Sequence, residues 1–320
     1  MGVLIFIESV EGSVKKSSLE AVSYGAELAK KLNTTSAAIA FGNTPAGELE
    51  KLGNQGAGKV LLIEDGKFSG ITQAMASAVS QAMEKEGYDI LILAKSSIGD
   101  AVGARVSAKI NAGLASNVVA LPEMSNGFTV KRSIYTGKAF ALTEMTSAKK
   151  VITLKKNAFS ITEGTGVATI EKFQPNISET DFAINVKNIE KTSGDVLLPE
   201  AEIVVSGGRG MKGPENWGIL EDLAKALGAA TACSKPVSDM DWRPHHEHVG
   251  QTGIKVSPNL YIALGISGAI QHLAGVNSSK VIVVINKDAD APFFKAADYG
   301  IIGDVFEVVP KLTEAIKKIK

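Results

Sequence analysis

The chain has 320 residues, 45% of them apolar, which is enough for two domains that each bury a hydrophobic core. Its 34 Lys and Arg residues are balanced by 34 Asp and Glu residues, so the composition argues against nucleic acid or an anionic membrane surface as a partner. A single cysteine, Cys233, excludes an internal disulfide bond and a metal site built from several thiolates, and it fits a reducing compartment.

The first residues lead into an apolar run, VLIFIE, that is too short to span a bilayer. This run lacks the charged leader and the small-residue cleavage site of a signal peptide. We therefore expect a cytoplasmic protein without direct membrane insertion, or a mature form resembling a protein of the mitochondrial matrix.

In the first half of the chain, short β-branched runs alternate with segments of helical periodicity. Apolar residues recur at helical spacing in residues 18–32 and 71–86. This alternation is typical of a parallel sheet with helices on both faces. The predicted strands are residues 3–7, 36–40, 60–63, 90–94 and 117–121.

Between residues 129 and 186 the pattern changes to short alternating segments such as FTVKRSIYTG and KKVITLKK, interrupted by Gly, Asn and Pro. This pattern predicts antiparallel strands at the edge of the first domain. A polar connection follows, and we place the domains at residues 1–190 and 191–320.

The second half repeats the α/β pattern. A helix is predicted over residues 214–227, because Pro214 suits the first turn and Gly228 suits the end, and another helix is predicted over residues 312–320. The predicted strands are residues 202–206, 229–232, 260–264, 281–285 and 305–309. The fold class is therefore α/β, with two doubly wound parallel-sheet domains, the first of which has added antiparallel edge strands.

The glycine and polar residues of the second half follow its predicted strands. In open parallel sheets, ligands bind beyond the carboxyl ends of the strands, where loop amides and helix N-termini point. Four loops therefore predict one binding site, at residues 207–209, 233–235, 265–268 and 286–288.

From the residues alone, each loop also has an ordinary structural explanation. SGGRG is compatible with a plain glycine turn, and VGQTG is compatible with a plain polar loop. The sequence GISG predicts a helix start, with Ser267 as its N-cap and free amides at Ala269 and Ile270. Gln271 and His272 need more explanation, because they are polar side chains in an otherwise small and apolar helix.

The run LYIALGISGAIQHLAG, with SGGRG, VGQTG, NKD and ADYGI, resembles the signature of the electron transfer flavoprotein alpha subunit. The resemblance extends through the chain and is most specific after residue 200. It implies that the second domain binds FAD and that the chain forms a heterodimer with a beta subunit. It also implies a carrier, without substrate chemistry of its own, that takes electrons from acyl-CoA dehydrogenases of fatty acid β-oxidation or from other dehydrogenases. The implied acceptor is a quinone oxidoreductase or another protein.

The same resemblance implies roles for single residues. It places Arg209 at the FAD pyrophosphate, Thr252 against the central flavin ring, and Asn286 and Asp304 at the adenosine end. The residues assigned to FAD in this way are Arg209, Ser234, Lys235, Val249, Gly250, Gln251, Thr252, Ser267, Gly268, Ala269, Ile270, Gln271, His272, Asn286, Asp304 and Val305.

His272 is expected to set the redox behaviour, because the resemblance places it near the pyrimidine carbonyl, where negative charge accumulates on one-electron reduction. A cation about 4 Å away would stabilise that charge by about 1 to 4 kcal/mol. That energy corresponds to roughly 40 to 180 mV for one electron. Lys235 departs from the Arg that the family usually has after this Ser. It keeps the charge but loses the planar stack and the bidentate fork.

Two other segments have the residue types of ligand sites. The run RPHHEH at residues 243–248 has three histidines and a carboxylate, but adjacent histidines after a proline supply at most two or three ligands of a metal. We expect no metal and interpret the run as a loop bordering the cofactor. Residues 96–99, SSIG, lack the Lys of a P-loop and the spacing of a dinucleotide fingerprint, and they are interpreted as structural. The first domain is expected to pack against the partner without holding a cofactor.

Two alternative functions remain open. A flavin-dependent oxidoreductase acting directly on a small molecule would need a proton-handling group with room for substrate beside the flavin ring. A regulatory module would use the same loops to bind an adenine nucleotide without a flavin.

Overall fold

The computed structural model describes residues 2–187 and 198–319, so the predicted boundary between residues 190 and 191 lies outside the described residues. The chain divides into two compact units, one formed by Met1–Ile134 and Ala139–Ile189, and the other by Tyr135–Lys138 and Glu190–Lys320. In the described ranges, no helix is both long enough and apolar enough to cross a membrane.

The first unit is built on a nine-stranded sheet. In its strand order, β11-β5-β4-β1-β6-β10-β7-β8-β9, neighbouring strands from β11 to β7 are parallel, and β8 and β9 are antiparallel. Its strands are β1 (Gly2–Phe6), β4 (Ser36–Phe41), β5 (Lys59–Ile63), β6 (Tyr88–Ala94), β7 (Gly113–Val118), β8 (Thr129–Ile134), β9 (Ala139–Glu144), β10 (Lys150–Leu154) and β11 (Thr169–Lys172), with a separate short hairpin of β2 (Ser9–Val10) and β3 (Ser13–Val14). Its helices are α1 (Lys16–Lys31), α2 (Ala46–Glu50), α3 (Thr72–Glu86) and α4 (Ser97–Lys109).

The α/β class and the antiparallel edge are confirmed, but β10 corrects the prediction for KKVITLKK. This strand lies inside the sheet between β6 and β7 and is parallel to both. Val151 and Ile152 are both fully buried and contribute to hydrophobic clusters on opposite faces of the sheet. A strand covered on both faces reads as a continuous apolar run, which the flanking lysines obscured. The strand predicted at residues 117–121 is also shifted, since β7 ends at Val118.

The segment SSIG has a structural role, as predicted. The Ser96 hydroxyl accepts a hydrogen bond from the Gly99 N–H at 2.7 Å and so caps α4. The same hydroxyl also bonds to the buried carboxylate of Glu8, which follows β1. Side chains of the unit therefore occupy this part of the carboxyl edge of the first sheet.

The second unit contains five parallel strands in the order β13-β12-β14-β15-β16. The strands are β12 (Ile203–Gly207), β13 (Ala230–Cys233), β14 (Leu260–Leu264), β15 (Val281–Asn286) and β16 (Tyr299–Ile302), and the helices are α5 (Gly218–Leu227), α6 (Lys235–Asp239), α7 (Ile270–Val276) and α8 (Val305–Lys317). The chain leaves β12 on one side to form β13 and then crosses to the other side to form β14. The loops after β12 and β14 therefore diverge and leave a crevice at the carboxyl edge of the sheet.

Hydrophobic clusters cover both faces of this sheet. On one face, Leu220 of α5 and Val309 of α8 pack with Val205 of β12. On the other, Val276 of α7 packs with Val204 and Phe293. The doubly wound arrangement predicted for this half is thus present, and it fixes the ends of the strands that carry the loops.

The strand predicted at residues 305–309 is wrong, because these residues begin α8. The Asp304 carboxylate accepts a hydrogen bond from the Phe306 N–H at 3.0 Å and caps the helix. Asp304 and Glu307 have the spacing of a capping box, a signal that identifies a helix start in the sequence. The last strand instead lies at Tyr299–Ile302. The helix predicted over residues 214–227 is present as a short 3-10 turn, Pro214–Asn216, followed by α5.

Candidate functional site

A cavity of about 710 Å³ opens at the carboxyl edge of the second sheet, in the crevice between the loops after β12 and β14. Its volume is within the range of sites that hold organic ligands and cofactors. Loops after β12, β13, β14 and β15 all contribute to its walls, so the four predicted loops do meet at one site.

The loop after β12 and the loop after β14 touch through their main chains. The Gly208 N–H donates to the Leu264 carbonyl at 2.9 Å, and the Gly210 N–H donates to the Gly265 carbonyl at 3.0 Å. A Cβ on Gly210 would lie 2.6 Å from the Gly265 Cα, closer than real Cβ contacts allow. Glycine is therefore required for this approach, which leaves the exposed Arg209 side chain on the cavity wall.

The loop after β13 places Ser234 and Lys235 at the cavity, as predicted. The Ser234 N–H donates to the Gly207 carbonyl at 3.0 Å, which ties this loop to β12. Lys235 Nζ lies 2.7 and 2.9 Å from the two carboxylate oxygens of Asp239, which also lines the cavity. This carboxylate offsets the charge of Lys235, a pairing that the sequence analysis missed although Asp239 stands four residues later on the same helix.

The carboxylate of the His-rich run that follows is engaged in an ion pair. Its Glu247 carboxylate is held by Arg243 in two hydrogen bonds of 2.7 and 2.9 Å, and Arg243 also pairs with Glu221 at 3.0 Å. Within residues 2–187 and 198–319, no group of three or more His, Cys, Asp or Glu side chains could hold a metal ion. His248 nevertheless lines the cavity, so the run does border it.

The VGQTG turn is pinned between two elements of the second unit. The Val249 N–H donates to the Cys233 carbonyl at 3.0 Å, and the Gln251 N–H donates to the Gln271 carbonyl at 2.7 Å. Gln251 and Thr252 are exposed at the tip of the turn and line the cavity. The turn therefore presents an amide and a hydroxyl to the cavity, and the contact of Thr252 with the flavin ring remains a prediction.

The loop after β14 corrects the predicted helix start. The helix α7 begins at Ile270 after an N-cap at Ala269, with no side-chain cap, so Ser267 is not the N-cap. Gly268 has a left-handed φ of +83°, and a Cβ there would lie 2.6 Å from the Phe293 main-chain nitrogen, so this position cannot belong to the helix. Ser267, Ala269 and Gln271 line the cavity, whereas Gly268 does not, and neither does Ile270, which is 69% exposed.

His272 lies in the cavity wall and is 6% exposed. Its Nε2 is 2.9 Å from the hydroxyl of the buried Tyr261, and its Nδ1 has no hydrogen-bond partner in the described part of the chain. Burial lowers the pKa of His272 to about 4; the Val249 main chain opposes this shift and the nearby His248 adds a smaller contribution to it. The imidazole is therefore neutral near pH 7, which corrects the expectation of a cation.

Tyr261 determines how this neutral ring can act. Complete burial raises the pKa of Tyr261, so its hydroxyl keeps its proton. When that hydroxyl donates to His272 Nε2, the ring hydrogen must be on Nδ1. Nδ1 is then a buried donor without a hydrogen bond of normal geometry, and a ligand acceptor would satisfy it.

Of the two residues assigned to the adenosine end of FAD, one lies in the cavity wall and the other lies outside it. Asn286 lines the cavity, and its amide donates to the Ile266 carbonyl at 3.1 Å. Asp304 does not line it, but its carboxylate lies 3.7 Å from Nζ of Lys212, which does. Val305 is buried against the sheet. The roles assigned to Asp304 and Val305 remain predictions, and Lys212 is a wall residue outside the predicted loops.

Replacing Asp304 with alanine is expected to destabilise the second unit by about 1 kcal/mol, because the cap of α8 is lost. Asp304→Asn is the control, since Asn caps helices about as well as Asp. Both tryptophans of the chain, Trp217 and Trp242, lie in this unit, so urea unfolding followed by tryptophan fluorescence measures it selectively. Equal stabilities of the alanine and asparagine variants would contradict the capping role.

Two family profiles match the chain, the electron transfer flavoprotein domain over residues 3–178 and the electron transfer flavoprotein FAD-binding domain over residues 197–277. The electron transfer flavoprotein subunit alpha of Bacillus subtilis is 38% identical over 304 residues, which cover 90% of this chain and 94% of that relative. The chain belongs to the electron transfer flavoprotein alpha subunit family. The predicted family, its electron transfer function and its FAD cofactor are thereby confirmed.

Other alpha subunits of the family are similar over comparable lengths. That of Syntrophomonas wolfei is 36% identical over 319 residues, with 99% of each chain covered. The mitochondrial alpha subunit of Dictyostelium discoideum is 41% identical over 252 residues, covering 76% of this chain and 70% of that relative. The family therefore occurs in bacteria and in mitochondria, and its alpha subunits pair with a beta subunit.

The residues of the cavity fit FAD. Cationic side chains exceed carboxylates on its walls, as a diphosphate requires, since Arg209, Lys212, Lys235 and Lys287 stand against Asp239 and Asp288. The crevice between the loops after β12 and β14 is bordered by main chain, because glycines leave no Cβ there. The unpartnered Nδ1 of His272 supplies a buried donor for a carbonyl oxygen.

Proposed function

We propose that this chain is an electron carrier that holds FAD in the cavity of its second unit and pairs with a beta subunit. Electrons come from acyl-CoA dehydrogenases or other dehydrogenases and leave to a quinone oxidoreductase or another acceptor. We infer that the protein has no substrate chemistry of its own and acts in the bacterial cytoplasm or the mitochondrial matrix. Similar alpha subunits come from a bacterium and from mitochondria.

The observation that carries this proposal is the buried, neutral His272 with an unpartnered Nδ1 in the cavity wall. Bound FAD supplies the redox chemistry. The chain would contribute binding and charge stabilisation: Arg209 and Lys212, both in the cavity wall, would contact the diphosphate, and the His272 N–H would donate to a carbonyl oxygen. With a pKa of about 4, His272 does not act as a proton-transfer group near pH 7 and serves as a fixed hydrogen-bond donor.

The proposal is tested with the heterodimer obtained by coexpression of this chain with its beta subunit. We expect FAD to copurify with the heterodimer, and the reduced form to pass electrons to an external acceptor after reduction by an acyl-CoA dehydrogenase and its substrate. A protein that purifies without any flavin spectrum and binds an adenine nucleotide would instead be the regulatory module. Rapid turnover of a small metabolite by the heterodimer alone would instead identify a flavin-dependent oxidoreductase.

A further inference from the structure

A second histidine, His248, lies in the cavity wall and has no role in the function proposed above. Its side chain is 2% exposed, and it lines the cavity beside Lys235 and Asp239. Its Nδ1 has no hydrogen-bond partner in residues 2–187 and 198–319. Buried polar atoms without a partner are rare and call for an explanation.

The glycines of the VGQTG turn make room for this ring. A Cβ on Gly250 would lie 3.1 Å from His248 Nε2, and a Cβ on Gly253 would lie 2.7 Å from Nδ1. The His248 carbonyl also accepts a hydrogen bond from the Ile254 N–H at 2.8 Å. The imidazole therefore packs directly against the turn that presents Gln251 and Thr252 to the cavity.

Several charged or titratable groups face His248. Burial lowers its pKa, and His245 and Lys235 lower it further, whereas Asp239 raises it. The His245 ring is 5.5 Å away, centroid to centroid, and is exposed. His272 lies on the cavity side and interacts electrostatically with His248. His248 is thus neutral near pH 7. One negative charge added nearby would shift its protonation equilibrium towards the imidazolium.

We propose that His248 binds a proton when an electron enters this cavity, so that the midpoint potential of the protein depends on pH. The inference rests on the proposed function, because it requires FAD in the cavity. The electron comes from a reduced dehydrogenase, or from dithionite in the test, and adds one negative charge. One proton from solvent binds a ring nitrogen of His248 and forms an imidazolium that offsets this charge, and no other bond changes.

The sign follows from the two protonation states. A nearby negative charge favours the imidazolium, so the pKa of His248 is higher after reduction than before it. Between these two pKa values the midpoint potential falls as the pH rises. The midpoint potential then changes by up to about 59 mV for each pH unit. For one electron, this is the potential that corresponds to a tenfold change in an equilibrium constant. Outside that interval His248 adds no pH dependence.

The experiment is spectroelectrochemical titration of the first electron in the FAD-containing heterodimer from pH 6 to pH 9. We expect a falling potential in the parent protein and a clearly smaller slope in His248→Gln, which cannot bind the proton. His246→Gln is the matched control, since His246 is exposed on the same loop and does not line the cavity, and it should behave like the parent.

A pH-independent parent potential would overturn the inference, as would equal slopes in the parent and His248→Gln. A slope that protonation of the cofactor itself produces would persist in the variant, so the difference between the two proteins is the decisive quantity. If the glutamine variant binds too little FAD, His248→Asn serves in the same titration. Failure of FAD to copurify with the parent would contradict the proposed function itself. This failure is seen before any titration, so it is distinguished from failure of the inference about His248.

Discussion

Replacing Gly210 with alanine is expected to destabilise the second unit by about 1 to 3 kcal/mol and to remove most of the bound FAD. The new Cβ would lie 2.6 Å from the main-chain Cα of Gly265, which cannot rotate away as a side chain would. The two loops would have to separate, at the energetic cost typical of an overpacked site. The crevice would then lose the geometry that brings Arg209 and the Gly265 loop to one ligand.

Gly218→Ala provides the matched control for this substitution. Gly218 is the first residue of α5, and a Cβ there would meet nothing within 4 Å. Alanine is favoured over glycine in helices by up to about 1 kcal/mol, so this variant should be as stable as the parent or slightly more stable. The flavin-to-protein ratio and urea unfolding by tryptophan fluorescence measure both effects. A Gly210→Ala protein with full FAD content and parental stability would contradict the account.

His272→Ala is expected to lower the first one-electron potential of the bound FAD by roughly 60 to 130 mV. This range converts the 1.5 to 3 kcal/mol of a hydrogen bond to a charged group at about 59 mV per tenfold. The reason is the loss of the Nδ1 donor, since burial keeps the ring neutral near pH 7 with a pKa of about 4. Because the effect depends on a hydrogen bond and not on ring protonation, it should be the same at pH 6 and pH 8.

Tyr261→Phe tests the mechanism of this prediction without removing the ring. The Tyr261 hydroxyl lies 2.9 Å from His272 Nε2, and as the donor to that nitrogen it would hold the ring hydrogen on Nδ1. Its loss should lower the potential in the same direction but by less than His272→Ala, because the imidazole remains and can still donate. An unchanged potential in His272→Ala, or a larger effect in Tyr261→Phe, would remove His272 from the role assigned to it.

The loops of the site were predictable from the sequence because glycines and polar residues follow β-branched runs, and parallel strands bring their carboxyl ends to one edge. The family resemblance added single residues such as Thr252, which the structure places at the cavity. The charge state of His272 was not predictable, because it depends on burial against Tyr261 and Phe293, residues distant from it in the sequence. Packing of this kind is set by tertiary structure and not by the local pattern.

The secondary-structure predictions that were wrong also failed because local sequence does not specify tertiary packing. The apolar run of residues 305–309 is compatible with strand and helix, and the cap at Asp304 decides for the helix. The interior position of β10 depends on which strands it pairs with, and no local signal specifies this pairing. Asp239 was missed for a similar reason, since a carboxylate one helical turn away is usually only a solvated neighbour of a site.

Hydrogen exchange of the heterodimer with and without FAD tests the central claim most directly, namely that the loops around the cavity of the second unit hold the cofactor. We expect FAD to protect amides in residues 207–212, 234–239, 249–253, 265–272 and 286–288, with little change in the first unit. Protection confined to the first unit, or no protection in these loops while FAD is bound, would contradict the account.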